Sequence, residues 1–274
     1  MGERGAGSAV GRRALLTLGA AVLVTGCAPT GSGTSRSAPP GGGSGSAPAT
    51  SAGAASAGTT SAGTTGSVCP TAADVIPKPH TEQYLPCSGK DIALTIDDGP
   101  HPVWTPQVLA VLARLDVRAT FCMIGQNAAR HPELVARVVD AGHQVANHTY
   151  THPTDLAKWS RTQVDGQIGR TTDVLTQASR GQAPRLFRAP GGAWSAAILA
   201  SATSAGLRPL DWSVDTRDWS RPGVSHIVDV IVTKTRPGSI ILDHDGGGNR
   251  EQTVTALGIA LPRLLDQGYR FVMP

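Results

Sequence analysis

Apolar and polar residues follow two alternating patterns along the chain from about residue 90 onward. Short apolar runs bounded by turn residues predict buried strands, and longer stretches with helical spacing predict amphipathic helices, the first capped by Thr105 and begun by Pro106. The strand-like runs are 92–96, 119–124, 143–146, 186–189, 207–214, 239–242 and 270–273, and the helical stretches are 106–115, 132–141, 161–179, 195–205, 225–235 and 251–267. This alternation predicts an α/β domain with a parallel sheet, and it fits an open sheet as well as a closed barrel.

The N-terminal region has the features of an export signal. Arg12 and Arg13 precede an apolar run over 14–24, which has signal-peptide length and is too short to span a bilayer. The run ends in a segment, 23–27, that resembles a bacterial lipobox. We therefore expect residues 1–26 to be removed and Cys27 to carry a lipid anchor on the membrane facing the cell wall. A secreted protein without the anchor is the alternative, and the arginine pair also allows twin-arginine export.

Residues 27–67 consist almost entirely of Gly, Ser, Ala, Thr and Pro, with Arg36 as the only charged residue. Such a segment cannot form an apolar core, so we expect a flexible tether in front of a catalytic domain over 68–274. The net charge is +4, but residues 1–67 contain four arginines and one glutamate, so the folded region is close to +1. This balance argues against nucleic-acid binding.

Two adjacent carboxylates end the first predicted strand, in the run 95–100 with the sequence Thr-Ile-Asp-Asp-Gly-Pro. Successive strand residues point to opposite faces, so Asp97 and Asp98 can share one site only if the backbone turns beside them. Gly99 and Pro100 supply a turn. The same residues also fit an ordinary polar turn.

A histidine pair lies further along the chain, in the run 148–152 with the sequence His-Thr-Tyr-Thr-His. A spacing of four places His148 and His152 on one side of a helical turn, where they can chelate one metal ion, although a capping or core pair has the same spacing. With one aspartate they form a two-His, one-Asp set that leaves coordination positions open for water and substrate, as a catalytic zinc site requires.

The chain resembles the NodB-like polysaccharide deacetylases of carbohydrate esterase family four from about residue 90 to 274. Five motifs occur in the family's order: 95–100, 148–152, Arg-Ala-Pro-Gly-Gly at 188–192, Asp-Thr-Arg-Asp-Trp at 215–219, and Leu-Asp-His at 242–244. The resemblance implies a distorted (β/α)7 barrel as the fold. Because the proposed site residues fall at or just beyond strand ends, a site at the C-terminal face of such a barrel is expected.

The resemblance also implies a division of roles among five residues. Asp98, His148 and His152 would hold a divalent metal, with zinc expected. Asp97 would be the general base that takes a proton from the attacking water, and His244 would be the general acid that protonates the leaving nitrogen.

The family's other motif residues are expected to support these groups. Asp215 would orient His244 and favour its protonated form, and Arg188 would hold Asp97 ionised and in place. The backbone N–H of Gly191 would stabilise the oxyanion. Trp219 and Leu242 are assigned to substrate binding, whereas we expect the remaining tryptophans near the motifs to be packing residues, namely Trp104, Trp194 and Trp212.

Three residues depart from the family pattern. Ile96 replaces a common Phe, Gly191 replaces an aromatic residue that would wall the acetyl pocket, and Asp243 replaces an apolar residue beside His244. A carboxylate at Asp243 would raise the pKa of His244, bind substrate or face solvent. These departures bear on the prediction of the substrate more than on the prediction of activity.

The remaining cysteines divide into two groups. Cys69 and Cys87 flank a Pro-rich stretch of an exported chain, so a disulfide between them is predicted. Cys122 lies in an apolar run and is expected to be a buried hydrophobe rather than a nucleophile.

These observations predict a metal-dependent hydrolase, expected to be a monomer, that removes acetyl groups from N-acetylated polysaccharide such as peptidoglycan or chitin-type oligomers. An O-acetyl esterase acting on xylan or another acetylated glycan is the alternative within the enzyme class. A catalytically silent glycan-binding lipoprotein is the alternative from another class, and its expected signature is the loss of a metal ligand or of the base.

Overall fold

The computed structural model describes residues 81–86 and 88–274. The predictions for the signal peptide, the tether, Cys27, Cys69 and Cys87 lie outside the described residues. Within the described part of the chain, no helix is both long and apolar enough to cross a membrane.

The described residues form a curled parallel sheet surrounded by helices. Seven strands follow the order β5-β4-β3-β2-β1-β7-β6, β8 pairs with the start of β1, and every ladder between these strands is parallel. The strands are β1 (Asp91–Asp97), β2 (Thr120–Met123), β3 (Gln144–Asn147), β4 (Leu186–Phe187), β5 (Arg208–Pro209), β6 (Val214–Asp215), β7 (Ile240–His244) and β8 (Arg270–Phe271). This is the predicted distorted (β/α)7 barrel.

Six of the seven α-helices found in residues 81–86 and 88–274 match the sequence pattern to within two residues at each end. The helices are α1 (Trp104–Arg114), α2 (Gly125–Arg130), α3 (Pro132–Asp140), α4 (Arg161–Ala178), α5 (Ala196–Ser204), α6 (Val224–Lys234) and α7 (Glu251–Asp266), with short 3₁₀ turns at Leu156–Lys158, Pro190–Gly192 and Asp218–Ser220. The short helix α2 was not predicted. The predicted N-cap of α1 was wrong, because Thr105 lies inside the helix and its hydroxyl donates to Asp245.

Alternation along β1 separates the outer core from the barrel interior. Ile92, Leu94 and Ile96 pack in the large hydrophobic cluster that the outer helices share, whereas Ala93 belongs to a different cluster. Asp97 follows Ala93 at even spacing, and side chains two residues apart point to the same face. The last residue of β1, Asp97, therefore presents its carboxylate to the barrel interior. Ile96 points the other way, toward the outer helices.

The barrel has its opening between β5 and β6, where the single predicted strand over 207–214 divides into two short ones. The segment just before β1 bridges this region. Glu82 pairs in parallel with Leu210, and Tyr84 pairs antiparallel with Ser239. Backbone groups at the opening thereby gain hydrogen-bond partners, which buried backbone requires.

Candidate active site

The backbone turns at Asp98, directly after β1. Asp98 has φ 73, in the left-handed region that few residues other than glycine adopt. This turn lets two consecutive carboxylates reach the same space at the C-terminal end of the strand, so both Asp97 and Asp98 line one cavity. Such a conformation in a non-glycine residue is typical of a functional site.

Asp98 lies with His148 and His152 in a cluster that could hold one metal ion. One ligand atom from each residue lies within 4.8 Å of the others. Asp98 Oδ1 is 3.6 Å from His148 Nε2 and 3.2 Å from His152 Nε2. The carbonyl of Arg188 lies 2.8 Å from His148 Nδ1, which aims the other ring nitrogen at Asp98.

The two imidazoles do not share a helical turn, so that part of the spacing argument was wrong. Strand β3 ends at Asn147, and the following loop has two left-handed residues, Thr149 with φ 64 and His152 with φ 57. His148 continues from the strand, and the loop folds His152 back toward it, with ring centroids 4.9 Å apart. A turning loop therefore gives the convergence that the sequence spacing attributed to a helix.

The cluster fits a divalent metal on chemical grounds. Asp98 Oδ1 is buried and accepts no hydrogen bond from the described residues, so a cation is the partner that it lacks. Burial opposes ionisation of Asp98, but the nearby imidazoles of His148, His244 and His152 outweigh it and hold the pKa of this carboxyl well below its usual range. Two imidazoles and one carboxylate form a zinc-type ligand set.

Arg188 forms a buried ion pair with Asp97. Its Nη1 donates to Asp97 Oδ1 at 2.7 Å and to the Thr95 hydroxyl at 2.8 Å, and its Nη2 donates to the Asp211 carbonyl at 2.8 Å. Burial opposes the charge on Arg188, but Asp97 raises the pKa of the guanidinium above its ordinary value. The Thr95 hydroxyl and the Asp211 carbonyl therefore hold the Arg188 guanidinium in place, and the guanidinium in turn positions the Asp97 carboxylate.

The predicted partner of His244 was wrong, because Asp218 rather than Asp215 occupies that place. Asp218 Oδ1 lies 2.7 Å from His244 Nδ1, and Asp218 Oδ2 accepts hydrogen bonds from the His244 backbone N–H at 3.0 Å and the Thr253 hydroxyl at 2.7 Å. Burial favours neutral imidazole, but the hydrogen bond and charge of Asp218 raise the pKa of His244 to about 9. Asp218 in turn has a lowered pKa, since these hydrogen bonds outweigh its burial.

The turn of the chain after β6 explains why Asp218, and not Asp215, contacts His244. Asp215 ends β6 in an exposed position, and its Oδ1 accepts a hydrogen bond from the Arg217 backbone N–H at 2.9 Å. Arg217 is left-handed with φ 52, and the 3₁₀ turn that follows begins with the buried Asp218. The turn brings the second carboxylate of the motif over β7 and leaves Asp215 on the cavity wall.

The cavity has a volume of about 410 Å³. Of the motif residues that were assigned a role in catalysis, metal binding or substrate binding, all line it except Arg188, which lies beneath Asp97. Its walls are Asp97, Asp98, His148, His152, Thr154, Gly191, Trp212, Asp215, Trp219, Leu242, His244, Gly247 and Arg250. Trp219 is 50% exposed. A Cβ at Gly191 would have nothing within 4 Å. The cavity wall is therefore open at Gly191, where many family members were expected to carry an aromatic side chain.

The other tryptophans differ in their surroundings. Trp194 contacts Phe187 edge-on, with ring centroids 5.7 Å apart, and packs against the core. Trp104 stacks on His101. Trp212 packs against the interior cluster and also lines the cavity, with the Arg188 guanidinium 5.5 Å from its ring centroid. Expected as a packing residue, Trp212 therefore also contributes to the site.

Two residues near the site were not predicted: Arg250, which lines the cavity, and Asp245, which is buried behind it beside Gly99. Arg250 is only 3% exposed, donates from Nε to the Gly246 carbonyl at 2.7 Å and lines the cavity. Asp245 is buried beside Gly99. Burial and the charges of Asp98 and Asp97 raise its pKa to about 7, although the hydrogen bond from Thr105 acts to lower it. Their position after the Leu-Asp-His motif was the only signal in the sequence.

Asp243 and Cys122, which the sequence analysis singled out, are buried and do not line the cavity. Asp243 accepts a hydrogen bond from the Thr216 hydroxyl at 2.7 Å, and burial with the charge of Asp218 raises its pKa well above the ordinary value. This carboxyl neither faces solvent nor reaches substrate. Cys122 is a free, buried cysteine whose pKa is raised by burial, so it is not a nucleophile.

Comparison with known sequences gives consistent relatives. Residues 86–210 match the polysaccharide deacetylase domain family. A chitooligosaccharide deacetylase of Sinorhizobium fredii is 46% identical over 188 residues, which are 65% of this chain and 87% of that protein. A peptidoglycan-N-acetylglucosamine deacetylase of Bacillus cereus is 42% identical over 194 residues, covering 69% of this chain and 88% of that protein.

Solved structures agree with the sequence relatives. The peptidoglycan N-acetylglucosamine deacetylase Bc1960 superimposes with a TM-score of 0.68 at 36% identity, covering 70% of this chain and 90% of that chain. A family 4 carbohydrate esterase from Streptomyces lividans superimposes with a TM-score of 0.63 at 34% identity, covering 69% of this chain and 94% of that chain. The chain therefore belongs to the polysaccharide deacetylases, as a NodB-like member of carbohydrate esterase family four.

Proposed function

We propose that this protein removes acetyl groups from the N-acetylglucosamine or N-acetylmuramic acid residues of an envelope polysaccharide. The observation that carries the proposal is the convergence of Asp97, the Asp98–His148–His152 cluster and His244 in one cavity. Relatives named for chitooligosaccharide and for peptidoglycan N-acetylglucosamine support an amide-linked acetyl group on an amino sugar as the target.

Asp97 is the group placed to act as general base. Arg188 and the interior face of β1 fix its carboxylate at the cavity floor, where Oδ2 lies 3.6 Å from His148 Nε2. A water molecule between Asp97 and the acetyl carbon would lose its proton to this carboxylate as its oxygen attacks. The fixed ion pair limits the reorganisation that this transfer needs.

His244 is the group placed to act as general acid. Its Nδ1 is held by Asp218, which leaves Nε2 for the substrate, and its raised pKa keeps the imidazole protonated at neutral pH. Donation of that proton to the sugar nitrogen lets the C–N bond break. Water and the acetamide thereby give acetate and a free amine.

Asp98, His148 and His152 would hold the divalent ion on which this family depends, and we propose zinc. When bound, the ion would act as a Lewis acid toward water and the acetyl carbonyl. The main-chain contact to His148 sets the direction of one ligand before the ion binds. The open main chain at Gly191 is placed to donate its N–H to the oxyanion, and Trp219 with Leu242 provides an apolar wall for the acetyl methyl group.

We also propose that the enzyme acts outside the cytoplasmic membrane, anchored by a lipid on Cys27 and extended by the tether over 27–67. The arginine pair, the short apolar run and the lipobox-like segment support this location. Secretion without an anchor is the alternative. Mass spectrometry of Cys27 in membrane fractions separates these alternatives, because an acylated cysteine is expected only for the anchored form.

Acetate release is the experiment that tests the enzymatic proposal. The full chain is incubated with N-acetylglucosamine oligomers, peptidoglycan and acetylated xylan, each with chelator or with added zinc. We expect chelator-sensitive release from the first two substrates, and an Asp97→Asn variant is expected to lose at least about 100-fold in rate while retaining the metal. Release from xylan alone would indicate an O-acetyl esterase, and glycan binding without any release would indicate a silent binding protein.

A further inference from the structure

Side chains, rather than a helix or strand, fix the backbone of the loop that follows β3. We refer to residues 148–152 as the ligand loop, because it contains two of the three proposed metal ligands, His148 and His152. Thr149 and His152 have left-handed backbone, which residues other than glycine rarely adopt. Such a conformation persists only where the surrounding structure strongly determines it. The contacts of this loop therefore decide whether His152 reaches the metal cluster.

Each backbone N–H over 149–152 donates to a side-chain oxygen. The first and the last of these acceptors lie beside or within the loop. The Thr149 N–H donates to Asn147 Oδ1 at 3.0 Å, and the His152 N–H donates to the Thr149 hydroxyl at 3.1 Å. The two N–H groups in the middle have an acceptor from another element of the fold.

That acceptor is the side chain of Gln167, in helix α4. Gln167 Oε1 accepts the Tyr150 N–H at 2.8 Å and the Thr151 N–H at 2.9 Å, and the Thr151 hydroxyl lies 3.3 Å away. Because the two backbone partners can only donate, the amide oxygen and not the amide nitrogen faces the loop. A single oxygen atom of α4 thus bonds two consecutive peptide groups of the ligand loop.

Helix α4 is itself fixed to the end of β3. The Asn147 side-chain amide donates to the Ile168 carbonyl at 2.8 Å, directly before the ligand loop begins. One turn after Gln167, the Arg170 guanidinium lies 3.6 Å from the ring centroid of Tyr150. These contacts hold the helix at a constant distance from the loop, so the position of Gln167 Oε1 is determined before the loop closes on it.

We propose that Gln167 is a positioning residue for the metal cluster, because it holds the ligand loop in the conformation that aims His152 at Asp98. The inference rests on the proposed function, which assigns a divalent ion to this cluster. Tyr150 is half-buried and Thr151 is exposed, so water can bond their N–H groups when the Gln167 oxygen is absent. The loop would then adopt further conformations, and an ion would have to order it on binding.

The cost of such disorder follows from the fraction of molecules that are competent to bind. If the loop holds His152 in place for about one tenth of the time, the apparent zinc affinity falls about tenfold. His148 is less affected, because it continues from β3 and its ring contacts the Arg188 carbonyl. The first two N–H groups of α2 also still donate to loop carbonyls, at 2.9 and 3.0 Å. We therefore expect a partial loss of affinity rather than loss of the site.

The test uses variants that change the acceptor and little else. Gln167→Met retains the length and the helix propensity of the side chain but removes its oxygen. Gln167→Glu retains an acceptor at the same place, so it should restore the parent's behaviour. Gln177→Met is the matched control, since it makes the same exchange at an exposed position further along α4.

Zinc affinity of the full chain is measured by equilibrium dialysis with metal analysis. We expect Gln167→Met to bind zinc about tenfold more weakly than the parent, within the range found for residues that orient metal ligands. Gln167→Glu and Gln177→Met should bind zinc like the parent. Parent-like affinity in Gln167→Met, or an equal loss in Gln167→Glu, would overturn the proposal.

Hydrogen exchange in the presence of chelator separates failure of this inference from failure of the proposed function. Mass spectrometry of peptides that cover 148–152 reports the opening of the loop without any metal. Faster exchange in Gln167→Met alone supports the inference, and equal exchange in the parent and all three variants would overturn it. A parent that binds no zinc would reject the proposed function, and the exchange rates would still decide whether Gln167 fixes the loop.

Discussion

Asp218 Oδ1 lies 2.7 Å from Nδ1 of His244, and the other oxygen of the same carboxylate accepts the His244 backbone N–H. One side chain thus fixes both the ring and the main chain of the proposed acid. Thr253 donates to that second oxygen at 2.7 Å, which holds the carboxylate in place. The pair links the motif after β6 to the end of β7, and it determines the expected pH dependence.

Asp218→Asn is expected to shift the alkaline limb of the pH–rate profile to lower pH. In the proposed mechanism the protonated imidazole is the active form, so activity should be lost as pH rises through the His244 pKa of about 9. Removing the Asp218 charge lowers that pKa, and the loss then begins nearer neutrality, with about 100-fold lower kcat at pH 8. Asp215→Asn is the matched control and should leave the limb in place. A larger shift from Asp215→Asn would contradict the assignment.

Arg188→Met is expected to destabilise the fold by about 3–5 kcal/mol, because it leaves the Asp97 carboxylate in a buried position without its partner. The variant also removes the donors to the Thr95 hydroxyl and the Asp211 carbonyl. Urea unfolding monitored by circular dichroism measures the change. Arg180→Met removes an exposed pair with Asp140 and should change the free energy of unfolding by less than about 1 kcal/mol. Similar values for the two variants would count against a buried ion pair.

His152→Ala is expected to weaken zinc binding by at least about 100-fold, since one of the three proposed protein ligands is lost. Added zinc should raise the melting temperature of the parent and not that of the variant, because only binding to the folded state stabilises it. Equilibrium dialysis with metal analysis gives the affinity directly. His131→Ala removes a histidine paired with Glu133 and should bind zinc like the parent. Unchanged affinity in His152→Ala would remove this residue from the ligand set.

Gly246→Ala is expected to disturb the proposed metal site without touching the side chain of a proposed ligand. A Cβ at this position would overlap the backbone carbonyl of Asp98, which cannot move aside as a flexible side chain would. We expect lower zinc affinity and lower acetate release from a folded protein. In contrast, Gly169→Ala in α4 has open space around its Cβ and should stabilise the protein by about 0.5–1 kcal/mol. Parent-like zinc affinity in Gly246→Ala would show that the contact is relieved by backbone movement.

The local pattern of apolar and polar residues was sufficient to predict most of the strands and helices. The apolar runs located β1, β2, β3 and β7, because alternation and burial leave a direct signal in consecutive residues. The helix α2 was missed, since six residues between a strand and the next helix form too short a periodic segment. The run over 207–214 divided into two strands because pairing at the barrel opening, and not its own composition, decides where strand geometry ends.

The motifs themselves determined which residue types would meet: two consecutive carboxylates, two imidazoles, an arginine and a later histidine. The sequence could not determine which carboxylate of 215–219 contacts His244, because that depends on a left-handed turn at Arg217 and a 3₁₀ turn after it. It also gave no sign that Arg250 enters the cavity or that Gln167 bonds the loop over 148–152. These contacts join residues distant in the chain, and only the packing of helices against the sheet fixes their distances and burial.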